Sequence, residues 1–557
     1  MSMMAHAEPK QPNLPPPRPA PRFWQSRTFW MWSIVIVLAL FVCAGLALLW
    51  LAHNAEPILR ARIVQSLSER FHSRAQLAAL HLTFRRGIGL QGEGLVIPVD
   101  GADANQSVDA SNPPFLRIDS FDFHVSFKSL LESPTHISTV YVREMDIHLP
   151  PKGQRPSLAN QETGSGKIPF VVDKVICENA TLVLETNKPN KVPLEFDIAH
   201  LTLTDIEAGK PFHFYAVLTN PKPIGDIAST GEFGPFRVDS PADTPVSGHY
   251  AFTHADLGTI KGISGILAST GEYTGQLSKI VVDGQTETPN FALDISGHPM
   301  QLNTAFHAVV DGTDGDVDLE PVNARLKNSS FVARGSVTRT KGIPGRNIEL
   351  QVTMDRANIQ DFLDLAFKTV PPIMDGKLAM NTSLSIPPGK QPIPAKIRLK
   401  GRFTITDATF SNPSTQQKVD AFSLRAEGHA KEAKSGIPPA ESVQSTMSGD
   451  FQSGNGQVDI SNLRYELPGA QVDLDGKYTM DGNTFDFRGI VRTTAGLSQM
   501  TTGWKSIMLK PVDPFFRKHG AGAQIPVKIT GTKDEPHFGL DLHDKNNHPA
   551  SAPQPNR

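Results

Sequence analysis

The hydrophobic pattern of this chain changes period along its length, and each change marks a different kind of element. Phe29 to Leu51 is an unbroken apolar run with no charge and only Ser33 as a clearly polar member. A helix crossing a bilayer needs roughly 20 such residues at 1.5 Å rise each, so the run predicts a transmembrane helix over 29–52. Trp24, Trp30, Trp32 and Trp50 flank or cap it, and indole rings favour the headgroup level. A cleaved signal peptide would have a shorter apolar core and a small-residue cleavage site, which His53-Asn54-Ala55 does not offer. Beyond the run, Leu59, Ile63, Leu67 and Phe71 recur at steps of four. That stripe predicts an amphipathic helix over 53–75, with Pro57 in its first turn. Arg60, Arg62, Arg70 and Arg74 lie off the stripe. They either meet anionic lipid headgroups or flank a stripe that packs on the first strands.

From about Gln76 the period falls to two. Phe121, Phe123, Val125 and Phe127 alternate with Asp122, His124, Ser126 and Lys128, the pattern of a strand with one apolar and one wet face. The same alternation returns in Phe291-Leu293-Ile295, Ile348-Leu350-Val352-Met354, Val458-Ile460, Val472-Leu474 and Phe538-Leu540-Leu542. Pro113-Pro114, Pro150-Pro151 and Pro387-Pro388-Gly389 punctuate the runs. Strand follows strand with few helices between, which predicts a mainly β body of mostly antiparallel sheet. Two short helices interrupt it. Ile359, Phe362, Leu363 and Phe367 share one helical face, and Met500, Trp504, Ile507 and Met508 share another. Either is suited to cap an open sheet edge.

Short phrases repeat. Ala228-Ser229-Thr230-Gly231-Glu232-Phe233 returns forty residues later as Ala268-Ser269-Thr270-Gly271-Glu272-Tyr273. Gly-x-aromatic-x-apolar occurs at Gly248, Gly401 and Gly476. Repeated strand units suggest a sheet lengthened by stacking. The expected organisation is a disordered Pro-rich tail over 1–28, the two helical segments, β regions over 76–355 and 356–542, and a disordered tail over 543–557.

Composition narrows the function. With 39% hydrophobic and 20% charged residues, most of the 557-residue chain should fold. A net charge of -2 with scattered Lys and Arg argues against a nucleic-acid partner. Arg18, Arg22 and Arg27 precede the apolar run, while Arg60 and Arg62 follow it, offset by Glu56. That bias favours a cytoplasmic N-terminus. The two cysteines, Cys43 and Cys177, fall one in the apolar run and one in the body, which leaves no intramolecular disulfide in the body.

No Gly-x-Ser-x-Gly elbow and no His-Glu-x-x-His occurs, and the 18 histidines are dispersed. Nothing points to an enzyme or a cofactor. Thr163-Gly164-Ser165-Gly166-Lys167 lacks both the first glycine and the final hydroxyl residue of a phosphate loop. Asp311, Asp314, Asp316, Asp318 and Glu320 form the densest acidic cluster. Counted from Asp314, Leu319 and Arg325 stand where a calcium loop needs glycine and an acid. Alternation with Val317 and Leu319 predicts the wet face of a strand instead.

Several stretches together resemble the AsmA-like family of envelope proteins, the AsmA/TamB type within the bridge-like lipid-transfer superfamily. The likeness runs through Ile58-Leu59-Arg60, Leu67-Ser68-Glu69-Arg70-Phe71 and Leu116-Arg117-Ile118-Asp119 into the strand from Phe121 to Phe127. It continues at Gly262-Ile263-Ser264-Gly265, Val281-Val282-Asp283-Gly284 and Thr288-Pro289-Asn290-Phe291. It ends with Val512-Asp513-Pro514-Phe515-Phe516, Gly520-Ala521-Gly522 and Ile529-Thr530-Gly531-Thr532. The resemblance implies a bacterial inner-membrane anchor, a periplasmic body and an elongated β-groove. Along that groove phospholipid would travel toward the outer membrane, with Phe121, Phe123, Val125 and Phe127 as candidate lining. Membrane phospholipids and envelope assembly proteins are the implied partners. The alternative is a non-transporting periplasmic scaffold or regulator of outer-membrane protein assembly and of protein targeting to the membrane, its apolar strand faces closed on each other as sandwich cores.

Overall fold

The computed structural model describes residues 27–71, 73–83, 88–99, 113–125, 135–149, 170–185, 188–207, 209–237, 240–435, 442–479, 484–502, 522–532 and 535–541. Phe127, the segment from Thr163 to Lys167, the helical face from Trp504 to Met508 and both tails lie outside them.

Helix α1 (Arg27–Phe71) is a single element. Pro57 does not open a second helix, as its position suggested, but sits inside the first. An internal proline removes one backbone hydrogen bond, and the strong helix formers on both sides of it, such as Leu48, Leu51, Leu59 and Arg60, carry the helix through. Among the described residues no helix is long and apolar enough to cross a membrane.

Among the described residues, the strands after α1 form one curled, open half-barrel sheet of 25 strands. β1 (Gln76–Thr83), β2 (Ile88–Ile97) and β3 (Leu116–Val125) form an antiparallel meander. β4 (Thr135–Ile137) and β5 (Val140–Leu149) follow, and β6 (Phe170–Leu184) runs parallel to both. A parallel neighbour needs a crossover of a dozen or more residues, a length that residues 150–169 provide between β5 and β6.

Every later pairing is antiparallel. β7 (Leu194–Ile206), β8 (Phe212–Pro221), β9 (Ile224–Phe233), β10 (Pro245–Asp256) and β12 (Ile266–Gln276) form one run, with the two-residue β11 (Ile263–Ser264) paired to β13 (Lys279–Leu293). β14 (Met300–Val310), β15 (Val317–Leu326), β16 (Ser329–Arg339), β17 (Arg346–Asn358) and β18 (Met374–Ile386) continue it. β19 (Arg398–Phe410), β20 (Ser445–Gly454), β21 (Gln457–Leu467), β22 (Ala470–Thr479), β23 (Thr484–Thr493), β24 (Ala523–Thr532) and β25 (Pro536–Leu540) complete it. The boundary expected at 355/356 falls inside β17, where the β17–β18 ladder shifts register between Met354 and Ala357 and then continues. At about 4.8 Å per strand the ladder is roughly 120 Å along its contour.

Alternation does not run unbroken through the first strands. Glu144 and Asn179 adopt φ of 53° and 60°, and Gly94 has 64°. Asp119 stands between Gly94 and Glu144 in the register, and Ala78 stands beyond Gly94. This column shifts the phase of every strand it crosses. Val142 and Met145, three residues apart, therefore join one cluster, as do Cys177 and Ala180. Later ladders slip too, at Phe252/Ala255, Met354/Ala357 and Ile405/Ala408. Bulges of this kind increase local twist, which curls the sheet.

Short helices lie along the sheet. α2 (Ile359–Ala366) follows β17, as its apolar face predicted, and Ile359, Phe362 and Leu363 pack on Met354, Leu378 and Ile405. α3 (Ile393–Lys396) precedes β19, while α4 (Pro413–Ala426) and α5 (Ala430–Ser435) join β19 to β20. α1 covers the first edge. The Leu82 N–H donates to Glu56 Oε1 at 2.9 Å, and Arg60 Nε donates to the Leu77 carbonyl at 2.8 Å. Two backbone groups on β1 thus find side-chain partners on α1, one of the ways a sheet edge is kept from templating further strands.

Replacing both Glu56 and Arg60 by Ala should free that edge while leaving the remaining ladder intact. Amide exchange at Leu82 should quicken by roughly tenfold, the equivalent of about 1.4 kcal/mol of local opening. Unchanged exchange would show that the two contacts contribute nothing to edge protection.

Candidate functional site: a one-layer apolar groove

One face of the sheet is apolar from strand to strand. On β17 it carries Val352 and Met354, opposite Thr382 and Met380 of β18, which in turn oppose Gly401 and Phe403 of β19. Phe306 on β14, Phe451 on β20 and Leu474 on β22 continue the surface. Val352, Met354 and Thr382 are buried, whereas Met380, Phe403, Phe306, Phe451 and Leu474 are half-buried, and among the described residues no second sheet lies opposite them. The other face carries the charges, among them His307 beside Asp283 at 2.8 Å and Arg402 Nε donating to Asp450 at 2.8 Å.

The middle of the apolar face holds a belt of hydroxyls. Ser229 Oγ donates to the His249 carbonyl at 3.0 Å, so the Tyr273 hydroxyl is the donor in its 2.7 Å bond with Ser229. Ser269 Oγ likewise donates to the Gln285 carbonyl, and Tyr250 donates to Ser269, each at 3.0 Å. Burial raises the pKa of both tyrosines, and the serine bonds counter part of that rise. The repeated six-residue phrase explains the symmetry, since its two copies pair on either side of β10. Gly248 leaves room for the Tyr273 ring: a Cβ there would stand 2.7 Å from the phenolic oxygen. Cys177 lies in a buried cluster of the sheet. Burial, with the nearby Glu178 charge, pushes its thiol up to about 11, so it is a poor nucleophile.

Of the predicted lining residues, Phe121, Phe123 and Val125 lie on β3, near the first edge of this face. Phe121 and Phe123 stack with ring centroids 6.5 Å apart, and Val125 is buried. Gly92 on the neighbouring strand lets the Phe121 ring lie across it, since a Cβ would come within 2.2 Å of that ring. Leu59, Ile63, Val64 and Leu67 of α1 pack on the cluster that Phe121 and Phe123 join. The stripe on α1 therefore covers this part of the face, and Arg60 bonds the sheet. The less covered apolar face lies further along.

Antiparallel order sends successive turns to alternate rims of the groove. The β6–β7, β8–β9 and β10–β12 connections lie on one rim, and the β14–β15, β16–β17 and β18–β19 connections lie on the other. The sheet curls far enough for the two rims to meet. Lys188 Nζ, in the β6–β7 turn, donates to Asp314 Oδ2 at 2.8 Å and also to Asp311. Lys191 pairs with Asp316 and donates to the Arg339 carbonyl at 3.1 Å. The Lys341 N–H donates to the Asn190 carbonyl at 2.6 Å. Further along, the Ile393 N–H of α3 donates to the Lys261 carbonyl at 3.1 Å. The acidic cluster is thus divided. Asp318 and Glu320 are exposed on a strand, as alternation predicted, whereas Asp311, Asp314 and Asp316 sit in a turn as the sockets of this clasp.

Burial alone would raise the Asp311 carboxyl, but its bonds to Lys188 and Thr313 hold it below the usual carboxylate range. Burial would lower the Lys188 ammonium, but Asp311 and Asp314 raise it. Among the described residues no group of three His, Cys, Asp or Glu side chains is placed to hold a metal ion. Comparison with protein-family models, with curated proteins and with solved structures gave no match for the chain.

The clasp gives a pH dependence of definite sign. A carboxyl depressed in the fold stabilises above its unfolded pKa and loses that contribution as pH falls through its folded value. A raised lysine loses its contribution only at high pH, above its own folded value. Spin labels at Pro189 and Gly342 should therefore report a narrow distance distribution from neutral pH down through the ordinary carboxylate range. Broadening should set in only below it. Broadening at mildly acidic pH would contradict the assignment.

Proposed function

We propose that this chain is a membrane-anchored lipid carrier of the AsmA-like type, and that the open apolar face is its path. Phospholipid acyl chains would lie along the groove with headgroups in water, moving from the bacterial inner membrane toward the outer membrane. The observation that carries this reading is the single layer: among the described residues, half-buried apolar side chains such as Phe306, Met380, Phe403 and Phe451 continue from strand to strand with no second sheet over them. A sandwich scaffold needs a second layer at that place. Each CH₂ removed from water contributes about 0.8 kcal/mol, so a groove of this kind can hold an acyl chain without a dedicated polar site. No catalytic role is part of the proposal.

The anchor is the apolar run of α1, with the N-terminus cytoplasmic and the body periplasmic. Its support is the length of Phe29 to Leu51 together with side chains such as Leu38 and Phe41, which are 64% and 74% exposed. Aliphatic and aromatic surface on this scale is costly in water and stable in a hydrocarbon core. A reporter fused after Arg557 should read as periplasmic, and the protein should stay in membranes through an alkaline wash. A cytoplasmic signal, or release by the wash, would overturn the topology.

The groove is tested by photo-crosslinking in cells. Groups placed at Phe403 and Phe451 should capture phospholipid, whereas groups at Lys400 and Gln452, on the opposite face of the same strands, should not. At Phe121 and Phe123, covered by α1, capture should be weaker. Equal capture on both faces would mean bulk membrane contact, and no capture anywhere would favour the scaffold.

A further inference from the structure

The hydroxyl belt can be counted proton by proton, since each hydroxyl carries one proton and two lone pairs. Ser229 and Ser269 give theirs to the His249 and Gln285 carbonyls, and Tyr273 and Tyr250 give theirs to those serines. Neither pair has a proton left. What each keeps is lone pairs on the phenolic oxygen. Burial raises both phenols, so they stay protonated at neutral pH and the count holds. Thr286 and Thr304, on the neighbouring strands β13 and β14, bond each other at 2.7 Å. That uses the proton of one threonine and leaves the other's to be given.

The tyrosine rings are laid along the groove floor. A Cβ on Gly271 would stand 2.7 Å from Tyr250 Cε1, and one on Gly284 would stand 2.7 Å from the Tyr250 oxygen. The inward-facing neighbours Phe252, Val282 and Phe306 are uncharged. A phosphate finds no cation among them, whereas a hydrogen-bond donor finds an acceptor. We propose that the belt is a headgroup subsite for zwitterionic lipids whose ammonium carries N–H donors, as in phosphatidylethanolamine. This rests on the groove reading above and adds a preferred class of cargo. The headgroup, in water elsewhere along the groove, touches the wall here. Its ammonium donates to the oxygen of Tyr250 or Tyr273, and an ester or phosphate oxygen accepts from the threonine pair. The acyl chains lie on the apolar floor to either side. A quaternary ammonium carries the same charge but no such proton, so it leaves both phenolic oxygens unmet.

The test uses the full chain in detergent, offered equimolar pairs of lipids that each carry a diazirine on one acyl chain. Adducts on the inner-face residue Phe306 are counted by mass spectrometry. Phosphatidylethanolamine should outlabel phosphatidylcholine roughly fivefold, the worth of about one hydrogen bond. Its N-methyl and N,N-dimethyl forms keep the charge and at least one donor, so they should hold most of that preference. Tyr250→Phe with Tyr273→Phe should bring the ratio to one without lowering total labelling. Both rings remain in that variant, and Ser229 and Ser269 keep their carbonyl partners, so the circular dichroism spectrum should not change. Tyr215→Phe, at a tyrosine on the opposite face, should leave the ratio as it was. Labelling without preference in the unaltered chain would overturn the subsite and leave the groove intact. A preference that survives the double variant, or one that Tyr215→Phe also removes, would overturn it too. Lower total labelling in the double variant at an unchanged ratio would make the tyrosines structural and reject the subsite. Absence of any Phe306 adduct in the unaltered chain would end the groove reading itself, and the subsite with it.

Discussion

The backbone ladder is the constraint on which everything else here depends. Among the described residues, a sheet of 25 strands satisfies its N–H and C=O groups from neighbour to neighbour and leaves few edges. That solves the hydrogen-bonding problem but not the hydrophobic one, since a sheet with one apolar face ordinarily needs a second layer against it. Among the described residues the second layer comes in pieces: α1 over β1–β3, α2 over the cluster around Met354, and α4 over the cluster around Leu467. Between those pieces the apolar face is half covered. Side chains such as Phe306 and Phe403 are held by their strand neighbours, so the surface is ordered before any ligand arrives. An ordered apolar surface loses less entropy on binding than one that must first collapse or rearrange.

Curl turns that surface into a groove, and the bulges produce the curl. Each strand in a flat ladder would carry its turns further from those of distant strands, and the rims would never meet. The column through Gly94, Glu144 and Asn179, with the later register shifts, adds twist enough for a turn near residue 190 to reach one near residue 315. The ion pairs there are cut off from part of the surrounding water, since the Asp314 side chain has no exposure. They therefore hold position more firmly than pairs on an open strand face. Opposite charges at the two meeting rims also disfavour any register that would bring Lys188 against the basic Arg339 and Arg346.

Much of the fold was legible in the sequence. Period two marked β3, β17, β21 and β22, and the apolar face at Ile359 marked α2. Boundaries were harder: Ile295, grouped with Phe291 and Leu293, lies in the turn after β13 and is 51% exposed. Pro57 resembled a start signal because a proline in a first turn and one in mid-helix have the same local neighbours. The phase shift at Asp119 was hidden for a related reason. Leu116 and Ile118 alternate correctly, Phe121 and Phe123 alternate correctly, and only the extra residue between them betrays the bulge. For the candidate site, the apolar character of Phe121 and Phe123 was readable, but their cover was not. That cover depends on where the stripe of α1 lands. The clasp was hardest of all, because Lys188 and Asp314 are joined by the accumulated twist of the strands between them rather than by anything local.

The placement of the helical connections carries a consequence for how such a chain can change length. α2 and α4 both follow odd-numbered strands, and in an antiparallel ladder parity decides the rim. Adding one strand between β7 and β14 would send every later connection to the opposite side and part Lys188 from its acidic socket. Adding a hairpin would preserve every side assignment and merely lengthen the trough. The twin phrases in β9 and β12 flank a single strand at matching registers, as units gained in pairs would. A ladder of this design can therefore grow or shrink only in even steps, and its length is quantised by the hairpin rather than by the residue.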